Sequence, residues 1–152
     1  MTKTPTVLLA EDSPDDRFLI ERALRRSRQQ VSLQVVADGE EAIAYLGGEG
    51  AFADRQRHPM PQLLLLDWKL SRRSGLEVLR WIRARPYLDA LPVVVLTASG
   101  EDGDLHAAFA ARANSFLQKP GASGDLLDLI DCTLAYWLRH NLAPAAPCIP
   151  VP

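Results

Sequence analysis

Four short apolar runs in this chain each end in a polar group of a different kind. VLLA runs into Glu11 and Asp12, LLLL into Asp67, VVVL into Thr97, and FLQ into Lys119. If those ends converge, three carboxylates, a hydroxyl and an amine share one place. Carboxylates that close raise each other's pKa unless a cation intervenes. Oxygen donors in a small open site with room for water suit a hard ion, Mg²⁺ in particular. A carboxylate held beside such an ion can attack phosphorus and become an aspartyl phosphate. Lys119 would then neutralise charge developing on the phosphoryl oxygens, and Thr97 could donate a hydrogen bond to one of them. Asp67 ends the most apolar run, so it is the candidate acceptor. The neighbouring acids Asp15 and Asp16 have a plainer explanation. They fall in the first turn of a helix started by Ser13-Pro14, where the helix dipole favours negative charge by about 0.3–1 kcal/mol.

The elements needed to position these groups are legible in the pattern. Thr6 to Ala10, Leu63 to Leu66 and Pro92 to Leu96 read as short strands, the latter two buried on both faces. Val31 to Ala37 alternates apolar and polar, as an edge or half-buried strand does, and Ser115 to Gln118 is a fifth. Between them lie helical stretches: one after Ser13 carrying Phe18, Leu19, Ala23 and Leu24, then Glu40 to Leu46, Gly75 to Arg85, Asp102 to Arg112 and Gly124 to His140. Gly47 to Pro61 makes a connection longer than most. Strands alternating with helices predict an α/β fold with a doubly wound parallel sheet and helices on both faces. Ligands of such sheets sit beyond the carboxyl ends of the strands, where the polar groups above fall.

The totals fit one domain. The chain has 152 residues, 47% hydrophobic and 24% charged, with a formal net charge of -2, which predicts neither nucleic-acid nor membrane-surface attraction. No apolar run reaches the roughly 20 residues of a membrane span, and the N-terminus lacks a signal-peptide pattern. Two cysteines, Cys132 and Cys148, make no disulfide framework, so a reducing cytoplasm is expected, with Cys132 buried on the last helix. His58, His106 and His140 show no ligand spacing, and the arginines at 22, 25, 26 and 28 read as a solvated helix face.

Taken in order, AEDSPDD, LLLLDWKL, VVVLTAS and FLQKP resemble the receiver domain of two-component response regulators, over about Thr6 to His140. The resemblance implies a five-stranded sheet of order 2-1-3-4-5 flanked by five helices, a flavodoxin-like fold. It implies Asp67 as phosphoacceptor, and Glu11, Asp12, Asp67 and the backbone carbonyl of Lys69 as Mg²⁺ ligands. Thr97 is then the switch hydroxyl, Lys119 the phosphate-binding amine before a cis bond at Pro120, and Phe116 the rotating aromatic. Phe116 lacks the hydroxyl of the commoner tyrosine, so an inward-turned state loses one hydrogen bond. Lys69, Ser71 and Ser74 depart from the family's usual loop, which implies an unusual lifetime for the phosphorylated form.

Such a domain is a signalling module that catalyses at most its own phosphorylation and dephosphorylation. A haloacid-dehalogenase-type phosphatase needs a second acid two residues after the nucleophile, where this chain has Lys69. A flavodoxin-like flavin module needs a phosphate loop that Glu11 and Asp12 would repel. The expected organisation is a receiver domain over 1–140 and a proline-rich tail over 141–152, read as a dimerisation arm. The long loop and overall pattern look most like stand-alone regulators partnered with phytochrome-type histidine kinases. Leu127, Leu134 and Leu138 form a second apolar stripe on the last helix, which marks a partner site; the resemblance implies that the partner is a second copy, in a homodimer through helix 4, strand 5, helix 5 and the tail.

Overall fold

The computed structural model describes residues 4–98 and 100–144. The elements run β1 (Thr6–Ala10), α1 (Pro14–Arg26), β2 (Ser32–Val36), α2 (Gly39–Gly47), β3 (Leu63–Asp67), α3 (Gly75–Arg83), β4 (Val93–Thr97), α4 (Asp102–Ala110), β5 (Ser115–Gln118) and α5 (Ser123–Leu134). All strand pairs are parallel, in the order β2-β1-β3-β4-β5. The expected sheet order is therefore correct, with β2 and β5 at the edges and both less buried than β1, β3 and β4.

The leucine quartet shows how the sheet divides the core. Successive strand side chains point to opposite faces. Leu64 and Leu66 join Leu8, Val93 and Val95 under Tyr45, Leu46, Val78, Leu79, Ile82 and Ala108 of α2, α3 and α4. Leu63 and Leu65 join Val7, Leu9, Val94 and Leu96 under Ile20, Leu24, Leu126, Ile130 and Leu134 of α1 and α5. Each fully buried leucine contributes about 1.5–3 kcal/mol, which holds the central strands rigidly beneath their polar ends.

The starts of α1, α2 and α3 follow capping side chains. The Asp38 side chain accepts from Glu41 N at 2.8 Å while the Glu41 carboxylate accepts from Ala37 N at 2.7 Å, a reciprocal cap on α2. Ser74 caps α3 by accepting from Glu77 N at 3.2 Å. The long Gly47–Pro61 connection is also built. Arg55 donates to the carbonyls of Tyr45 (2.7 Å), Leu46 (2.9 Å) and His58 (3.2 Å), and the Tyr45 hydroxyl donates to Pro59 O at 2.8 Å.

Three sequence expectations need correction. On α1 the buried arc is Ile20, Ala23 and Leu24; Phe18 (61% exposed) lies half a turn away and Leu19 (40% exposed) on the flank. Residues i, i+3 and i+4 share one face, and Ile20 sets that register. On α5, Leu134 is fully buried and Leu127 and Leu138 pack against the same core, so much of the proposed second stripe is used internally. Cys132 is exposed, because it falls on the side of α5 away from Leu126, Ile130 and Thr133. Helix α5 then passes into a π-helical segment, Ala135–His140. Asp131, which interrupts the outer stripe, accepts from Ser27 Oγ (2.5 Å) and Arg28 N (2.9 Å), so it ties α5 to the end of α1. Residues 145–152, and with them Cys148 and most of the anticipated arm, lie outside the described residues. No helix among the described residues is long and apolar enough to cross a membrane.

Candidate functional site

In a sheet of this order the chain leaves β1 in one direction and returns to β3 on its other side, which opens a crevice beyond their carboxyl ends. Ala10 is opposite Leu66 in the β1–β3 register, so Glu11 and Asp67 emerge side by side. Oxygens of Glu11, Asp12 and Asp67 lie within 4.8 Å of one another. Thr97 closes β4, where Asp67 is opposite Leu96, and Lys119 N donates to the Thr97 carbonyl at 2.7 Å. The topology thus brings the sequence-predicted groups to one edge of the sheet.

The acids are held from several directions. Glu11 is 1% exposed and its carboxylate accepts from Ser13 N at 3.3 Å. Asp12 accepts from Ser71 N at 3.1 Å, so it is tied to the loop that follows Asp67. The Lys119 ammonium lies 2.5 Å from Glu11 Oε1, 3.1 Å from Asp16 Oδ2 and 3.7 Å from Asp67 Oδ1. Burial pushes the Glu11 carboxyl up, and Asp67 adds to it by hydrogen bond and charge; Lys119 opposes them, and the result is about 7. Burial works to lower the Lys119 pKa, but Glu11, Asp67 and Asp16 outweigh it and hold the ammonium above the usual lysine value.

These residues fit a hard divalent cation. Three carboxylates supply oxygen donors at close quarters, the donor set such an ion takes. Lys69 places its side chain in solvent directly after the buried Asp67 and Trp68. Phe116 is half-buried and meets the Trp68 ring edge-on, with centroids 6.3 Å apart. None of the described peptide bonds is cis, so the bond before Pro120 is trans, against expectation. Trans is the favoured form even before proline, by about 0.5–1 kcal/mol.

Sequence reasoning missed two features. Asp16 is part of the Lys119 cluster as well as the first turn of α1. The contact with a lysine 103 residues away leaves no local signal in the sequence. The second is the pair Gly39 and Gly75, which pack against the loop after Asp67. A Cβ at Gly39 would sit 2.0 Å from Arg73 O, and one at Gly75 would sit 2.7 Å from Asp67 O.

A doubly wound five-stranded sheet with an acidic, lysine-bearing crevice at its strand ends describes the receiver class, and residues 7–131 match the response regulator receiver domain family. The chain belongs to that family. It is 35% identical to the response regulator Rcp1 of Synechocystis sp. over 140 residues, covering 92% of this chain and 93% of that protein. The phosphorylated cyanobacterial phytochrome response regulator RcpA superposes with a TM-score of 0.86 at 32% identity, covering 94% of this chain and all of the other. The Mn²⁺-bound form of Rcp1 does so with a TM-score of 0.82 at 34% identity, covering 93% of this chain and 99% of its own.

Proposed function

We propose that this protein is a stand-alone response regulator that accepts a phosphoryl group on Asp67 from a histidine kinase and signals by a conformational switch. The observation that carries this reading is the meeting of Glu11, Asp12 and Asp67 oxygens within 4.8 Å, with Lys119 at 3.7 Å from Asp67. In the transfer, an Asp67 carboxylate oxygen bonds to phosphorus as the bond from phosphorus to the donor imidazole nitrogen breaks. The electron pair of that bond stays on nitrogen. Lys119 places positive charge against the phosphoryl oxygens, and Thr97 offers them its hydroxyl. Glu11, Asp12, Asp67 and the Lys69 carbonyl would hold Mg²⁺, which supplies further positive charge against those oxygens. Phe116, packed on Trp68, is the aromatic that reorients as Thr97 turns toward the phosphoryl group.

Similarity along nearly the whole of Rcp1, and to the phytochrome regulator RcpA, supports a phytochrome-type kinase as donor and a receiver unit over 1–140. Onward signalling then goes by docking on a partner or by relaying the phosphoryl group. Incubation with acetyl phosphate and Mg²⁺ should add the mass of one phosphoryl group, labile to base and absent from Asp67→Asn. A flavin module would instead be yellow and unmodified. A protein that gains no mass under these conditions would refute the assignment.

Two finer readings accompany it. Lys69, exposed beside the acceptor, influences how long the phosphoryl group survives, so Lys69→Ala should change the dephosphorylation rate; an unchanged rate removes Lys69 from the mechanism. A homodimer through α4, β5, α5 and the 141–152 arm is supported by the exposed rings of Phe109 (51%) and Tyr136 (55%) on the helical elements concerned. X-ray scattering at tens of micromolar should give a dimer mass, and a monomer with or without the arm would exclude it.

A further inference from the structure

We propose that Asp16 is a positioning residue for Lys119: it holds the ammonium back from Asp67 until a phosphoryl group there draws it across. The inference rests on the phosphoacceptor reading and adds a residue to it. An ammonium has three donors. One goes to Glu11 at 2.5 Å and one to Asp16 at 3.1 Å, while Asp67 at 3.7 Å is paired by charge but lies beyond hydrogen-bond range.

The two bonded carboxylates are not equivalent. Glu11 has a side chain 1% exposed, whereas that of Asp16 is 39% exposed. Taking the ammonium from Glu11 would strand a buried carboxylate without its partner, the expensive way to break an ion pair. Taking it from Asp16 leaves a carboxylate that water can solvate. The third donor is left for a phosphoryl oxygen beside Asp67, and drawing the ammonium toward that oxygen stretches the bond to Asp16 rather than the one to Glu11. Asp16 acts as a counterweight that favours the unphosphorylated arrangement, anchored on the first turn of α1, where Ser13 Oγ accepts its N–H at 3.4 Å.

Neutralising Asp16 removes the restraint. Asp16→Asn should bind beryllofluoride, a phosphoryl mimic, in the presence of Mg²⁺ about twofold to fivefold more tightly than the unmutated protein, the factor a partly exposed ion pair supports. Trp68 fluorescence reads the titration, and the steady-state level of acetyl-phosphate labelling should rise in parallel. Asp15→Asn is the control. Asp15 is exposed in the same helical turn, so its variant changes net charge and helix-end electrostatics equally without touching Lys119. In a Lys119→Met background the Asp16 substitution should have no effect, which a general charge effect would not show. Equal affinities for Asp16→Asn and the unmutated protein, the same gain in Asp15→Asn, or a gain that survives loss of Lys119 would each overturn the inference and leave the phosphoacceptor reading standing. An unmutated protein that neither binds beryllofluoride nor takes up a phosphoryl group would overturn both.

Discussion

Lys119→Met should unfold at a temperature on the order of 10 °C below the unmutated protein when both are measured in chelator. The lysine is the shared cation of Glu11, Asp16 and Asp67, and its side chain is only 10% exposed. Removing one partner of a buried ion pair costs about 3–5 kcal/mol, because the other charge is left uncompensated. That free energy translates to the stated shift for a chain of this size. The deficit should shrink as Mg²⁺ is added, since a cation bound by the same acids stabilises the folded state by mass action. Labelling by acetyl phosphate should not recover with it. Loss of one preorganised positive group at the phosphoryl oxygens is expected to slow the reaction about 10²–10³-fold. Differential scanning calorimetry with and without Mg²⁺, paired with labelling rates, separates the two effects. A variant with unchanged melting in chelator would mean that Lys119 does not balance these carboxylates.

The second large effect is expected at two glycines with no chemistry of their own. Alanine at Gly39 would put its Cβ 2.0 Å from the Arg73 carbonyl oxygen. At Gly75 it would lie 2.7 Å from Asp67 O and 2.8 Å from Trp68 Cα. These are backbone atoms, so no side-chain rotation relieves the contact; the helix or the loop must move. Overpacking of this kind costs about 1–3 kcal/mol, occasionally more. The movement would also reach the site, because Gly75 N donates to Trp68 O at 2.9 Å and Gly39 N donates to Ser71 O at 3.2 Å. Both variants should therefore melt earlier, weaken Mg²⁺ binding and shift Trp68 emission, with Gly39→Ala the worse. Gly103→Ala, on α4 with nothing within 4 Å of its would-be Cβ, should instead be neutral or stabilising. Equal melting temperatures for all three would contradict the tight approach of α2 and α3 to the loop after Asp67.

What could be read from the sequence follows from which interactions are local. The leucine quartet and Val93–Leu96 betray central strands because burial on both faces leaves no room for polar residues. The groups at their ends were legible because a parallel sheet puts all carboxyl ends at one edge. Ser13 with Pro14 placed the start of α1. What failed were features decided by packing between distant segments. Phe18 and Leu19 are as apolar as Ile20, and only docking of α1 against α5 and the sheet selects the last of these. Leu134 reads equally well as core or as partner surface until α5 is rotated into place. Asp16 satisfies a helix-dipole argument completely, which hid its contact with Lys119 from the far end of the chain. The glycine approaches leave no sequence signal beyond the glycines themselves.

Finding which side chain carries the phosphoryl group identifies the acceptor outright. After labelling with acetyl phosphate and Mg²⁺, borohydride reduces an acyl phosphate to the corresponding alcohol, so the modified side chain becomes a stable mark for peptide mass spectrometry. Asp67 alone should be converted to homoserine, and only when Mg²⁺ is present. Conversion at Glu11, Asp12 or Asp16 instead, or no conversion in a folded protein, would contradict the assignment of Asp67 as acceptor.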